Sequence, residues 1–151
     1  MAYIKYKEVT KYFYFSRVVS NEALPQYVND YRYEDEEFLV SYRTTRDYGI
    51  FTNQRILLFD NTTLLGIKKE ITSVPYASIS TCSAVFRLNG ADLSIMLDSG
   101  YPVRIKFVKM SGIDKRRLRY IYSCLVRAMS QQRIIAEDVR ILKENDIKFP
   151  S

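Results

Sequence analysis

Thr45-Arg46-Asp47-Tyr48-Gly49-Ile50-Phe51-Thr52-Asn53-Gln54-Arg55-Ile56-Leu57-Leu58-Phe59-Asp60 reads as a strand, a turn and a second strand. Tyr48 to Thr52 is rich in aromatic and β-branched residues, Thr52-Asn53-Gln54 favours a turn, and Arg55 to Phe59 is an aliphatic strand. Just upstream, Phe38-Leu39-Val40-Ser41-Tyr42 has the same character. Downstream, Asp60-Asn61-Thr62-Thr63 turns the chain into an edge-facing strand over Gly66 to Val74, which Pro75 ends, and a further strand follows over Tyr76 to Phe86. Leu93 to Leu97 and Val103 to Phe107 flank Asp98-Ser99-Gly100-Tyr101-Pro102, a cluster suited to closing a hairpin. Alternation sends Val103, Ile105 and Phe107 to one face and Arg104 and Lys106 to the other.

After Ser111-Gly112 the period becomes helical. At 100° per residue, Leu118, Ile121, Tyr122, Leu125, Ala128 and Met129 share an arc of about 120°, with Arg116, Arg119, Tyr120, Ser123 and Arg127 opposite. Ser111 or Gly112 suits the cap and Asp114 the positive end of the helix dipole. Residues 131 to 145 form a second helix or continue the first, with Ile135, Val139 and Leu142 on one stripe. Tyr3, Tyr6, Tyr12, Phe13, Tyr14 and Phe15 fit neither period, and Asn21 to Val28 suits a short helix with Pro25 near its first turn. Strands followed by helices imply an α+β architecture: a bent sheet or barrel closed by a long helix.

Composition narrows the chemistry. With 151 residues, 47% of them hydrophobic, the chain can build its own core. It has no histidine, which removes the usual partner of a Ser or Cys nucleophile and the usual neutral-pH base. Cys82 and Cys124 stand apart without a CxxC and read as buried thiols, the five glycines form no phosphate loop, and no cofactor or metal is expected. Apolar runs too short for a bilayer and a Tyr/Lys-rich start place the chain in the cytoplasm. The net charge of +6 comes from the second half, where residues 104 to 133 hold nine Lys/Arg against Asp114 alone. The acids Glu34-Asp35-Glu36-Glu37 read as a solvated turn, not a catalytic site.

The order of motifs resembles the bacterial pleckstrin-homology-like (PH-like) domain family over about residues 34 to 127. That family runs an "RD" pair, a short strand, "FTN(K/Q)R" and an aliphatic strand, here Arg46-Asp47 through Phe59. Its next segments, "GKKVEY" and "S(I/V)PYxSI", are similar to Gly66 to Ile71 and Ser73-Val74-Pro75-Tyr76-Ala77-Ser78-Ile79. Gly112-Ile113-Asp114 stands where the family begins its closing helix. The resemblance implies a strongly bent antiparallel barrel of about seven strands plugged by a helix, non-catalytic, binding lipids, peptides or proteins. Some members associate as rings. It divides the chain into a Tyr-rich extension (1–33), the PH-like domain (34–130) and a helical extension (131–151).

Arg46, Asp47, Asn53, Arg55, Pro75 and Tyr76 match the family motifs and are read as structural. Asn53 suits a turn with positive φ, and Asp47 suits backbone N–H groups or an ion pair with Arg55. The first hairpin loop, Thr44 to Asp47, sets one cation beside one anion, so phosphoinositide capture there has no support. Two interaction faces remain. Arg104, Lys106, Arg116, Arg119 and Arg127 form a basic set, suited to an acidic protein, anionic membrane or nucleic acid, or merely solvated. Tyr3, Tyr6, Tyr12, Phe13 and Tyr14 form an aromatic set suited to a subunit or partner interface. The expected function is a non-enzymatic scaffold acting by self-association or protein binding. The alternatives are a nucleic-acid-facing or phage-encoded inhibitor using residues 104 to 133, and peripheral attachment to an anionic membrane.

Overall fold

The computed structural model describes residues 11–44, 47–61 and 69–143, arranged as two antiparallel-rich sheets and C-terminal helices. The five-stranded sheet runs β2 (Arg17–Val19), β3 (Phe38–Arg43), β4 (Tyr48–Thr52), β5 (Arg55–Asn61) and β6 (Lys69–Pro75) in that spatial order. The four-stranded sheet is ordered β1 (Lys11–Phe15), β9 (Pro102–Phe107), β8 (Gly90–Leu97) and β7 (Ile79–Arg87). Every pairing is antiparallel except β1 with β9, which is parallel and sets Tyr14 opposite Lys106.

The aliphatic run in β5 is continuous because its sheet is covered on both faces. Ile56 and Leu58 join Val40, Tyr42, Phe51 and Val74 in the main core, whereas Leu57 and Phe59 point the other way, onto Leu24 and Val28. Val28 belongs to a one-turn helix, α1 (Gln26–Asn29), entered through Pro25. Residues 21 to 33 therefore roof the outer face of the five-stranded sheet, while β1 and β2 supply an edge strand to each sheet.

Two bends carry the chain between the sheets. At Ser16 the N–H donates to the Arg43 carbonyl at 3.1 Å, while the Val108 N–H donates to the Phe15 carbonyl at 2.9 Å. At the other corner Pro75 leads into a 3-10 turn, Tyr76–Ser78, so the strand expected from Tyr76 starts instead at Ile79. Tyr76 is swung inward there, fully buried, its hydroxyl donating to the Thr52 carbonyl at 2.6 Å. Among the described residues the two ladders stay separate, so the expected barrel is a bent sandwich with nine strands.

Helix α2 (Gly112–Gln131) plugs the sandwich with Leu118, Ile121, Cys124, Leu125 and Ala128. Ser111 caps it, its Oγ accepting the Asp114 N–H at 3.1 Å, and Gln132 ends it in the left-handed region at φ 67°. A separate helix, α3 (Ala136–Lys143), folds back on it. Asp138 holds the two together, accepting from the Tyr120 hydroxyl at 2.7 Å and from Arg127 Nη2 at 2.9 Å.

Candidate interaction face

The four-stranded sheet buries one face and exposes the other. Phe13, Phe15, Leu93, Ile95, Val103, Ile105 and Phe107 enter the core, so the residues between them point outward. Phe13 is 3% exposed, which withdraws it from the aromatic interface expected of it, whereas Tyr14 is 53% exposed. Register then builds rows across the outer face. One row reads Tyr14, Lys106, Asp92, Val85; the next includes Arg104, Ser94 and Ser83; a third holds Pro102, Met96 and Thr81. Val85 is 54% exposed and Met96 is also open to solvent. A depression of about 280 Å³ lies here, lined by Tyr14, Val85, Asp92, Ser94, Arg104 and Lys106.

This face thus joins one member of the aromatic set to two of the basic set, although about ninety residues separate them in the chain. Backbone pairing also sets Tyr12 beside Arg104. Tyr3 and Tyr6 lie outside the described residues. Asp92 is the outer face's anion: its Oδ2 pairs with Arg87 Nη2, and its buried Oδ1 has no hydrogen-bond partner.

The helical cations lie elsewhere. Arg119 stacks on Phe86, Cζ to ring centroid 5.1 Å, and Phe86 alternates to the opposite side of β7 from Val85. Arg127 is committed to Asp138, and Arg116 is exposed on α2. Burial pushes Asp138 toward the neutral acid, but hydrogen bonds from Tyr120 and Arg127 outweigh it and hold the carboxyl below its usual range.

Several of the described motif residues make bonds within the scaffold. Arg55 is clamped by Glu36, not Asp47: Nε meets Oε2 and Nη2 meets Oε1, both at 2.9 Å. Nη1 donates to Ser73 Oγ at 3.0 Å, Nη2 also to the Tyr31 carbonyl at 2.6 Å, and the guanidinium lies 3.8 Å from the Tyr33 ring centroid. Glu36 is therefore buried, an exception within an acidic run expected to be solvated. Burial raises its pKa, but bonds from Arg55 and Thr52 prevail and lower it.

Asn53 does not need positive φ; among the described residues only Lys109 and Gln132 have it outside glycine. Its Oδ1 accepts the Glu37 N–H at 2.9 Å and its carbonyl accepts that of Ile134 at 2.8 Å, joining the turn to the helical end. Thr44 Oγ1 accepts the Asp47 N–H at 3.3 Å. Arg46 lies outside the described residues. A polar groove of about 610 Å³ passes Asn53, Gln54, Arg55 and Pro75 to reach Gln131 to Arg133.

The thiols are poor nucleophiles. Burial pushes both Cys82 and Cys124 up to about 12, so neither is a thiolate near neutrality. Among the described residues no cluster of three or more His, Cys, Asp or Glu could hold a metal, and no helix is long and apolar enough to cross a membrane.

The family model for the bacterial PH domain matches residues 9–129. The chain belongs to the bacterial PH domain family. No curated protein matches this PH domain in sequence. Its fold is similar to that of a DUF1696 family protein with a pleckstrin-homology domain from Shewanella loihica PV-4, at 23% identity and TM-score 0.60, covering 74% of this chain and 95% of that one. A pleckstrin homology domain from Shewanella amazonensis SB2B gives 22% identity and TM-score 0.54, covering 74% and 89%. A PH-domain-containing protein from Exiguobacterium sibiricum 255-15 gives 16% identity and TM-score 0.57, covering 76% of this chain and 62% of that one. At these identities the likeness speaks to fold, which in this family is generally a non-catalytic binding scaffold.

Proposed function

We propose that this PH domain is a non-enzymatic cytoplasmic binding module that works by protein–protein contact through the outer face of the four-stranded sheet. One observation carries the reading: the parallel β1–β9 register puts the exposed Tyr14 beside Lys106, on a face that also presents Arg104, Val85 and Met96. Aromatic, methionine and arginine side chains around a shallow depression have the composition of a protein interface. A nucleic-acid or membrane reading asks for a continuous basic surface. Arg104 and Lys106 lie on the outer sheet face, Arg119 stacks on Phe86 on the opposite side of β7, and Arg127 is held in an ion pair, which favours the protein-binding reading.

A photo-crosslinking residue placed at position 14, and in a separate chain at the exposed position 135, tests this in producing cells. Protein adducts well above the position-135 background are expected from position 14. Adducts no more frequent at 14 than at 135 would overturn the reading.

A further inference from the structure

Resting on that reading, we infer that the face binds a second copy of the same chain, around a two-fold axis lying in the interface, parallel to the strands and between β8 and β9. The row Tyr14, Lys106, Asp92, Val85 reads aromatic, cation, anion, aliphatic. Turned about that axis, β9 faces the copy's β8 and β1 faces its β7. Tyr14 then meets Val85 and Lys106 meets Asp92, each contact occurring twice as an isologous interface requires.

The other rows agree. Arg104 meets the Ser94 hydroxyl, and Pro102 meets the half-exposed Met96, so no like charges oppose each other. An axis running across the strands along the first row would set Lys106 on Lys106 and Asp92 on Asp92. Between these two placements, charge favours the axis parallel to the strands. Asp92 fits the choice, because its partly exposed side chain lines the depression that the copy's Lys106 would enter.

Sedimentation velocity over a concentration series tests the inference with four proteins: wild type, Lys106→Asp, Asp92→Lys and the double variant. Wild type is expected as a dimer. Each single variant sets like charges across both symmetric contacts and should weaken association roughly hundredfold or more. The double variant restores opposite charges and should dimerise again, and the two single variants, mixed, should form a heterodimer. A single cooperative thermal transition and a wild-type far-ultraviolet circular dichroism spectrum would show that each variant is folded, since the Arg87–Asp92 pair that Asp92→Lys removes is exposed.

A wild type that sediments as one chain up to its solubility limit, single variants that still dimerise, or a monomeric double variant overturns the two-fold pairing. Adducts from position 14 to other polypeptides alone would leave the protein-binding face standing without self-pairing. Their absence would remove the face as well.

Discussion

Replacing Glu36 with Gln should lower stability far more than the same change at Glu37, its neighbour in the acidic run. The Glu36 side chain is fully buried and that of Arg55 is 8% exposed, so the carboxylate is what compensates the guanidinium. Breaking one side of a buried pair costs about 3–5 kcal/mol; glutamine keeps one acceptor oxygen, which puts the change near the lower end, about 3 kcal/mol. At about 2–4 °C per kcal/mol for a domain of this size, the melting temperature should fall by about 6–12 °C. Glu37 is about half exposed and pairs with Lys143 at 3.5 Å, a contact worth roughly 0–1 kcal/mol.

Thermal unfolding followed by circular dichroism measures both variants. The pH dependence supplies a second check. Because the folded-state pKa of Glu36 is lowered, its contribution is complete above the ordinary carboxyl value and is lost as pH falls through the folded one. The gap between wild type and Glu36→Gln should therefore begin to narrow as pH falls below the ordinary carboxyl range and close further into acid, once the folded-state carboxylate is protonated. Equal melting temperatures for Glu36→Gln and Glu37→Gln at neutral pH would refute the clamp.

Gly49→Ala should destabilise by about 1–3 kcal/mol in the same assay, because a Cβ there would stand 2.5 Å from Cζ of the buried Phe15. It should also lower crosslinking from position 14, since Phe15 anchors β1; wild-type stability would contradict the packing. Alkylation of native protein near pH 8 should be slow at Cys82 and Cys124, with Cys124 gaining reactivity only along the unfolding curve. Labelling of Cys124 at the rate of a free thiol would contradict its burial. Asp138→Asn should loosen α3 from α2 by weakening the bonds from Tyr120 and Arg127, read as faster amide exchange over residues 136 to 143 with residues 113 to 125 unchanged. Equal exchange in both would contradict that linkage.

Much of the scaffold was legible because its signals are local. The hairpin around Asp98 to Pro102, the turn at Asn53 and the stripe of Leu118, Ile121, Leu125 and Ala128 each depend on neighbours within a few residues. Lys11 to Phe15 was harder: four successive aromatics look apolar on both sides, and the partner of β1 is a strand far along the chain. The signal was the alternation of Phe with Tyr, the hydroxylated Tyr14 facing water and Phe13 and Phe15 facing the core. Nothing local distinguished Glu36 from the acids beside it, because its partner Arg55 arrives through tertiary contact. The same limit hid the pairing of Tyr14 with Lys106.

Amide chemical shifts recorded on the labelled protein from dilute to concentrated solution locate the binding surface most directly. Movement is expected at residue 14 and over residues 83–85, 92–96 and 102–106, with the outer side of α2 unmoved. Shifts gathered on residues 116 to 127 instead, or none at any concentration in a protein that self-associates, would contradict the assignment of this sheet face.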